Sequence, residues 1–240
     1  NVVLHVHSIN VLVWSVQKHG RSKLKNLLKG LDWVWVDYVK PGIQLSQEIE
    51  LNLKNKAPRI FILENHGLVV AGDNCSDAEV LLLEVDSRLA VPVRAICSLN
   101  STKLLDLARE IDWFLPLYED IHCLGLDSCS FKTLLNGALY PDHVVFLGVV
   151  APVVYEGEDP TECLLKYNKL HKCSSNYLII EGQGVLVSSS ISLAEQEMLL
   201  CLANLMMRLT SNEELRYLTN NEVMELVDWD AEKYRKELVK

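Results

Sequence analysis

Residues 59–72 read Arg59-Ile60-Phe61-Ile62-Leu63-Glu64-Asn65-His66-Gly67-Leu68-Val69-Val70-Ala71-Gly72. Two apolar, β-rich runs flank a short polar turn, the pattern of two strands joined tightly. Ser76 to Leu89 follows as an amphipathic helix. Ser76 suits its N-cap, and Glu79 three residues on completes a capping box.

Working outward, residues 2–7 are apolar and β-branched and read as a strand. Residues 9–18 and 21–29 read as short helices around Gly20. Asp32 to Val39 alternates with aromatic residues and reads as a strand. Pro41-Gly42 turns the chain, and Ser46 to Leu53 reads as a helix. Ser101 to Arg109 reads as a helix, and the remainder of 91–130 has no clear pattern. The second half echoes the first. Tyr177 to Leu209 contains IIEGQGVLVSS and then AEQEMLLCLANLMMRL, again strand, Glu-x-x-Gly turn, strand and long helix. In this alignment Glu64 and Gly67 correspond to Glu181 and Gly184, and His66 to Gln183. Convergent patterning gives the same picture, so a true repeat stays open at this stage. The C-terminal stretch reads as a short helix, with Trp229 or Tyr234 docked on the body.

The 240 residues carry a formal charge of -9, which repels phosphate backbones, and no basic aromatic patch offsets it. A nucleic-acid partner is not expected. Hydrophobic residues make up 49% of the chain, as in globular proteins, yet no run of about 18 apolar residues indicates a membrane span. The seven cysteines form no CxxC pair and no even framework, so reduced thiols in a cytoplasmic protein are expected. The chain opens inside a strand without an initiator methionine, so an upstream segment is expected.

Chemistry enters with the histidines. Side chains two apart on a strand share a face, so His5 and His7 project together with Val6 opposite. Two imidazoles one pleat apart can grip one ion. Zinc takes nitrogen ligands and, in catalytic sites, three protein ligands with one open position. His66, presented by the sharp turn before Gly67, is the third candidate. An HxH pair alone is a motif of low specificity, and its joining to His66 between two apolar runs raises it. His143 reads as structural, His19, His122 and His171 as surface or loop residues, and Cys75 lacks a partner histidine. Glu156-Gly157-Glu158-Asp159 reads as a solvated turn.

His5-Val6-His7-Ser8, Tyr38-Val39-Lys40-Pro41-Gly42 and Glu64-Asn65-His66-Gly67-Leu68-Val69-Val70-Ala71-Gly72 together resemble the class II aldolase/adducin family, over roughly residues 1–90. Members include fuculose-phosphate and rhamnulose-phosphate aldolases and ribulose-phosphate 4-epimerase. Pro141-Asp142-His143-Val144-Val145, the Glu181-Gly182-Gln183-Gly184 strand pair and Trp229 to Lys236 are similar to the aldolase half of bifunctional rhamnulose-phosphate aldolase/dehydrogenase proteins. The resemblance implies a three-layer α/β/α sandwich around a mostly antiparallel sheet. Residues 1–130 would form the aldolase-like core, and 131–240 a C-terminal α/β extension. It implies zinc, or another divalent metal, on His5, His7 and His66. It also implies cleavage of a ketose phosphate through a metal-stabilised enediolate, in a homotetramer with sites between subunits. Tyr38 is the candidate acid toward the departing aldehyde, although a tyrosine beside two tryptophans also serves packing. The family's acid/base glutamate lies upstream of its HxH strand, so none is assigned here, and Glu64 reads as a supporting residue. A 4-epimerase or dehydratase shares the scaffold, and an adducin-like interaction module is the non-catalytic alternative.

Overall fold

The computed structural model describes residues 1–53, 57–95, 101–171 and 174–227. The stretch expected to close the chain, with Trp229 and Tyr234, lies outside the described residues. Contacts divide the chain into two compact units. The first comprises Asn1–Pro92, Leu139–Pro141 and Asn212–Leu226. The second comprises Val93–Ala138, Asp142–Ser211 and Val227–Lys240.

The first unit runs β1 (Val2–Val6), α1 (Ile9–Ser15), α2 (Gly20–Leu27), β2 (Trp33–Val36), α3 (Ile43–Leu53), β3 (Ile60–Leu63), β4 (Gly67–Gly72) and α4 (Cys75–Arg88). Its sheet has the order β1-β4-β3-β2. β1 with β4 and β4 with β3 are antiparallel, and β2 runs parallel to β3. β3 is central and buried along its length, so its run Ile-Phe-Ile-Leu needs no alternation. Its two faces still divide the core. Ile60, Ile62, Leu68 and Val70 pack with Val11, Leu24, Leu28, Val85 and Leu89 of α1, α2, α4 and their ends. Phe61, Leu63 and Val36 pack with Leu45 and Ile49 of α3. Helices therefore cover both faces of this mixed sheet.

Two local expectations change. The cap of α4 is Asn74, not Ser76. Asn74 is extended and its side chain accepts from the Asp77 amide at 3.0 Å, so the helix starts at Cys75. The strand expected over 32–39 spans only Trp33–Val36. After it, the Tyr38 amide turns to the Glu64 carboxylate at 3.0 Å instead of a neighbouring strand.

The second unit runs α5 (Ser101–Glu110), α6 (Cys123–Leu126), α7 (Ser128–Leu135), β5 (Val153–Val154), α8 (Pro160–His171), β6 (Tyr177–Ile180), β7 (Gly184–Val187) and α9 (Leu193–Met206). Its sheet, in the order β5-β6-β7, is parallel and then antiparallel. Its inner residues, including Leu178, Ile180 and Leu186, pack with Leu104, Ala108 and Val154. α10 (Asn220–Val227) then follows, in the segment that returns to the first unit.

The echo seen in sequence extends bond by bond. Leu63 pairs with Gly67 as Ile180 pairs with Gly184. The Glu64 amide donates to Val36 O at 2.9 Å, and Glu181 to Val154 O at 3.0 Å. The His66 amide donates to Leu63 O, and Gln183 to Ile180 O, each at 3.1 Å. The second turn residue is left-handed in both, Asn65 at φ 51° and Gly182 at φ 68°. Its amide reaches back to Ser15 O in one unit and Gly125 O in the other. Even the outer edge is matched, because Leu4 faces Val70 on β4 and Phe114 bridges to Val187 on β7. The residue after each bridged one is His5 in the first unit and Leu115 in the second. The same scaffold is thus built twice, and the second copy has neither His5 nor His66 at the matching positions.

A buried histidine braces this second hairpin. His122 Nδ1 accepts from the Val185 amide at 3.1 Å, and burial pushes its pKa from 6.5 down to about 4. The unfolded chain takes up a proton there first, so stability is full above about pH 6.5 and is lost as pH falls toward 4. Urea midpoints at pH 7 and pH 5 are expected to differ, and His122→Gln, which keeps an acceptor without the titration, is expected to narrow that difference.

Candidate metal centre

β1 is an edge strand, so the end that carries His5 and His7 borders the β3–β4 turn. Pairing of Val6 with Leu68 sets His7 beside Gly67. The period-two arrangement then does what the sequence reading expected, since His5 and His7 share a face. His66 completes a nearly equilateral triangle. The ring centroids are 5.0 Å apart for His5 and His7, 5.0 Å for His5 and His66, and 4.9 Å for His7 and His66. One ring nitrogen from each lies within 4.8 Å of the others. Among the described residues this is the one His/Cys/Asp/Glu group with such spacing.

His5 Nδ1 lies 3.0 Å from Leu68 O. A carbonyl only accepts, so Nδ1 carries the proton and Nε2 keeps its lone pair. His5 Nε2 and His7 Nε2 are 3.2 Å apart. Two ligands at about 2.05 Å on a tetrahedral ion stand roughly 3.3 Å apart, from the bond lengths and angle zinc prefers. The pair therefore has the spacing of two ligands on one cation, and the Leu68 carbonyl supplies the outer hydrogen bond that a ligating histidine uses. His5 is exposed, His7 half-buried and His66 buried, so one side of the triangle faces solvent.

Each histidine is held by its own neighbours. Ser8, directly after His7, caps α1 by accepting from the Val11 amide at 3.3 Å and donates to Asp86 of α4. Asn10 donates to the same carboxylate at 3.0 Å. Gly67 lets β1 approach, because a Cβ there would lie 2.6 Å from Val6 O and 3.0 Å from the His7 ring, at φ +157°. On the other side of His66, the Glu64 carboxylate takes the Tyr38 amide and Arg216 Nε at 3.3 Å. Arg216 also pairs with Glu222 at 2.6 Å and stacks over the Tyr38 ring at 5.0 Å. The Tyr38 hydroxyl is buried and finds no hydrogen-bond partner among the described residues. Burial first, and then the nearby Glu222 charge, push its pKa well above the usual phenol value.

Other residues raised by the sequence stand apart from this cluster. His122 and His143 are buried in the second unit, and burial lowers the pKa of each to about 4. His19 approaches Glu214 at 4.0 Å on the surface, and His171 packs on Tyr167. Cys75 is exposed. Glu158 and Asp159 bind backbone amides of their own turn and helix start. Arg216 was not visible in sequence, since nothing local marks a residue 151 positions from the asparagine it grips.

Residues 1–91 match the family model of the class II aldolase and adducin N-terminal domain. This segment belongs to the class II aldolase and adducin family. All three histidines and Tyr38 lie within it. No curated protein and no solved structure matches the chain. The class II aldolase family includes metal-dependent lyases, while its adducin members are not enzymes. The triangle of imidazoles is a group that can hold a divalent ion. Among the described residues no helix is long and apolar enough to cross a membrane.

Gly67 generates the structural test of this geometry. Gly67→Ala is expected to push β1 off β4 and lower stability by about 1–3 kcal/mol, as overpacking does. Urea unfolding measures the loss, and the His7 ring proton resonances are expected to shift with it.

Proposed function

We propose that the chain is a zinc-dependent aldolase that cleaves a ketose phosphate or a related hydroxy-carbonyl sugar. The observation that carries the proposal is the His5–His7–His66 triangle, with its 3.2 Å Nε2–Nε2 separation and its open side. The family supports the reaction class, and retention of all three histidines favours the metal-bearing branch over an adducin-like module.

In this reading His5, His7 and His66 hold the ion, and Leu68 O fixes His5 in the ligating tautomer. A bound divalent cation supplies Lewis-acid stabilisation of the charge left on substrate oxygens when the carbon–carbon bond breaks. The chain's own part is orientation and proton supply. Tyr38 carries its phenolic proton at neutral pH, as an ordinary phenol does, and is the candidate donor to the departing aldehyde. A three-layer sandwich is supported by helices on both faces of the first sheet. Assembly as a homotetramer in the cytoplasm belongs to the same proposal and rests on the family alone.

Elemental analysis of the purified chain beside His66→Ala tests the centre. About one zinc or other divalent ion per chain is expected in the wild type and a large loss in the variant. A wild type that stays metal-free after reloading overturns the proposal. A screen of ketose phosphates for aldehyde release then tests the reaction. Tyr38→Phe is expected to lower turnover by about 10²–10⁴-fold with little change in metal content. Conversion to an epimer without aldehyde release would assign the site to a 4-epimerase instead.

A further inference from the structure

The turn that presents His66 is built on a residue in an uncommon conformation. Asn65 has φ 51°, in the left-handed region that costs a non-glycine residue about 1 kcal/mol. It is fully buried. Its side-chain amide donates to Leu139 O at 2.7 Å and to Arg216 O at 2.6 Å. Its carbonyl oxygen accepts from the Arg216 guanidinium at 3.0 Å. Both amide protons and the oxygen are therefore bound, and Arg216 uses its backbone and its side chain on the same partner. The rest of Arg216 is fixed as well. Its amide donates to Val16 O at 2.7 Å. Its guanidinium spans Glu64, immediately before Asn65, and Glu222.

The second unit provides an internal comparison. Its turn has the same backbone hydrogen bonds and the same left-handed second residue, yet that residue is Gly182. The conformation thus forms without an asparagine. Where the next residue is Gln183, the turn uses glycine and has no side chain there to grip. Where the next residue is His66, it uses a strained asparagine held at three points. Rigidity beyond what the turn needs sits next to the ligand, and all three of these bonds come from residues outside the family match, Leu139 and Arg216.

We infer that Arg216 is a positioning residue: by gripping Asn65 and Glu64 it fixes the direction in which His66 presents its ring to the metal. The inference rests on the metal-centre reading above. An outer partner of a metal ligand typically accounts for 10–100-fold in affinity, because a loosely aimed ligand loses binding to its own motion.

The test uses the full chain with zinc and cobalt(II) as probes. Asn65→Gly removes the gripped amide but keeps a backbone that adopts the turn, as Gly182 does, and Arg216→Gln removes the grip from the other side. Both are compared with wild type by melting of the metal-free protein, by zinc affinity in chelator competition and by the visible spectrum of the cobalt form. The expected result is a folded Asn65→Gly with zinc affinity about 10–100-fold weaker and an altered cobalt spectrum, matched by Arg216→Gln if that variant folds. A folded Asn65→Gly with wild-type affinity and spectrum overturns the inference. If the wild type itself binds neither ion, the metal reading fails separately. The clamp is then judged by hydrogen exchange at the His66 and Gly67 amides. Exchange at least tenfold faster in Asn65→Gly retains it as a device that orders His66, and unchanged exchange overturns it.

Discussion

A four-residue turn, Glu64 to Gly67, has to satisfy two demands at once. It must reverse the chain between β3 and β4 within one sheet, and it must lie against the end of β1 closely enough for His66 to meet His5 and His7. The first demand needs a left-handed residue and a glycine with positive φ, supplied by Asn65 and Gly67. The second needs β1 to approach where a Cβ on Gly67 would meet Val6 O and the His7 ring. Three imidazoles gathered near a solvent-facing edge are not what a hydrophobic core selects. They are held by the surrounding structure: Leu68 O on His5, Asp86 behind Ser8, and Arg216 behind Asn65.

The histidine cluster was legible because strand periodicity is a local rule. His5 and His7 could be placed on one face from two positions, and His66 could be placed at a turn from the apolar runs around it. Most elements were legible for the same reason. Cap choice was less so. Asn74 and Ser76 are both good caps, and only the extended backbone at Asn74 decides between them. The length of β2 was overestimated because alternation continues through Tyr38 in sequence, while the Tyr38 amide is diverted to Glu64. The support from Leu139 and Arg216 was not legible at all. A contact between residues 74 or 151 positions apart leaves no periodic trace in either segment.

The repeat also separates what the scaffold requires from what the site requires. Both units keep the parallel strand before the hairpin, the Glu-x-x-Gly turn, the backbone bond into a preceding helix and the 14-residue helix that follows. These features recur with a histidine in the turn and without one, so they belong to folding. His5 against Leu115, His66 against Gln183 and Asn65 against Gly182 are where the copies differ. Leu115 joins the apolar packing of its unit, as expected of a position released from binding polar or charged partners. In the first unit the corresponding position stays a histidine and stays exposed, at the expense of apolar burial.

Electrostatics points the same way. A cationic ligand set would repel a bound cation, so the histidines have to be neutral to bind, and in a neutral imidazole the nitrogen that donates to a carbonyl leaves the other free to ligate. Leu68 O performs that service for His5 from within the β4 backbone. The nearby cation, Arg216, is occupied by Glu64 and Glu222, so its charge is balanced by two carboxylates before it can act on the imidazoles. Burial first, and then the charges of Glu222 and Glu225, disfavour a phenolate at Tyr38, while the Arg216 charge opposes them. Arg216 thus grips the turn that carries His66 and lies over the Tyr38 ring, so one side chain holds both.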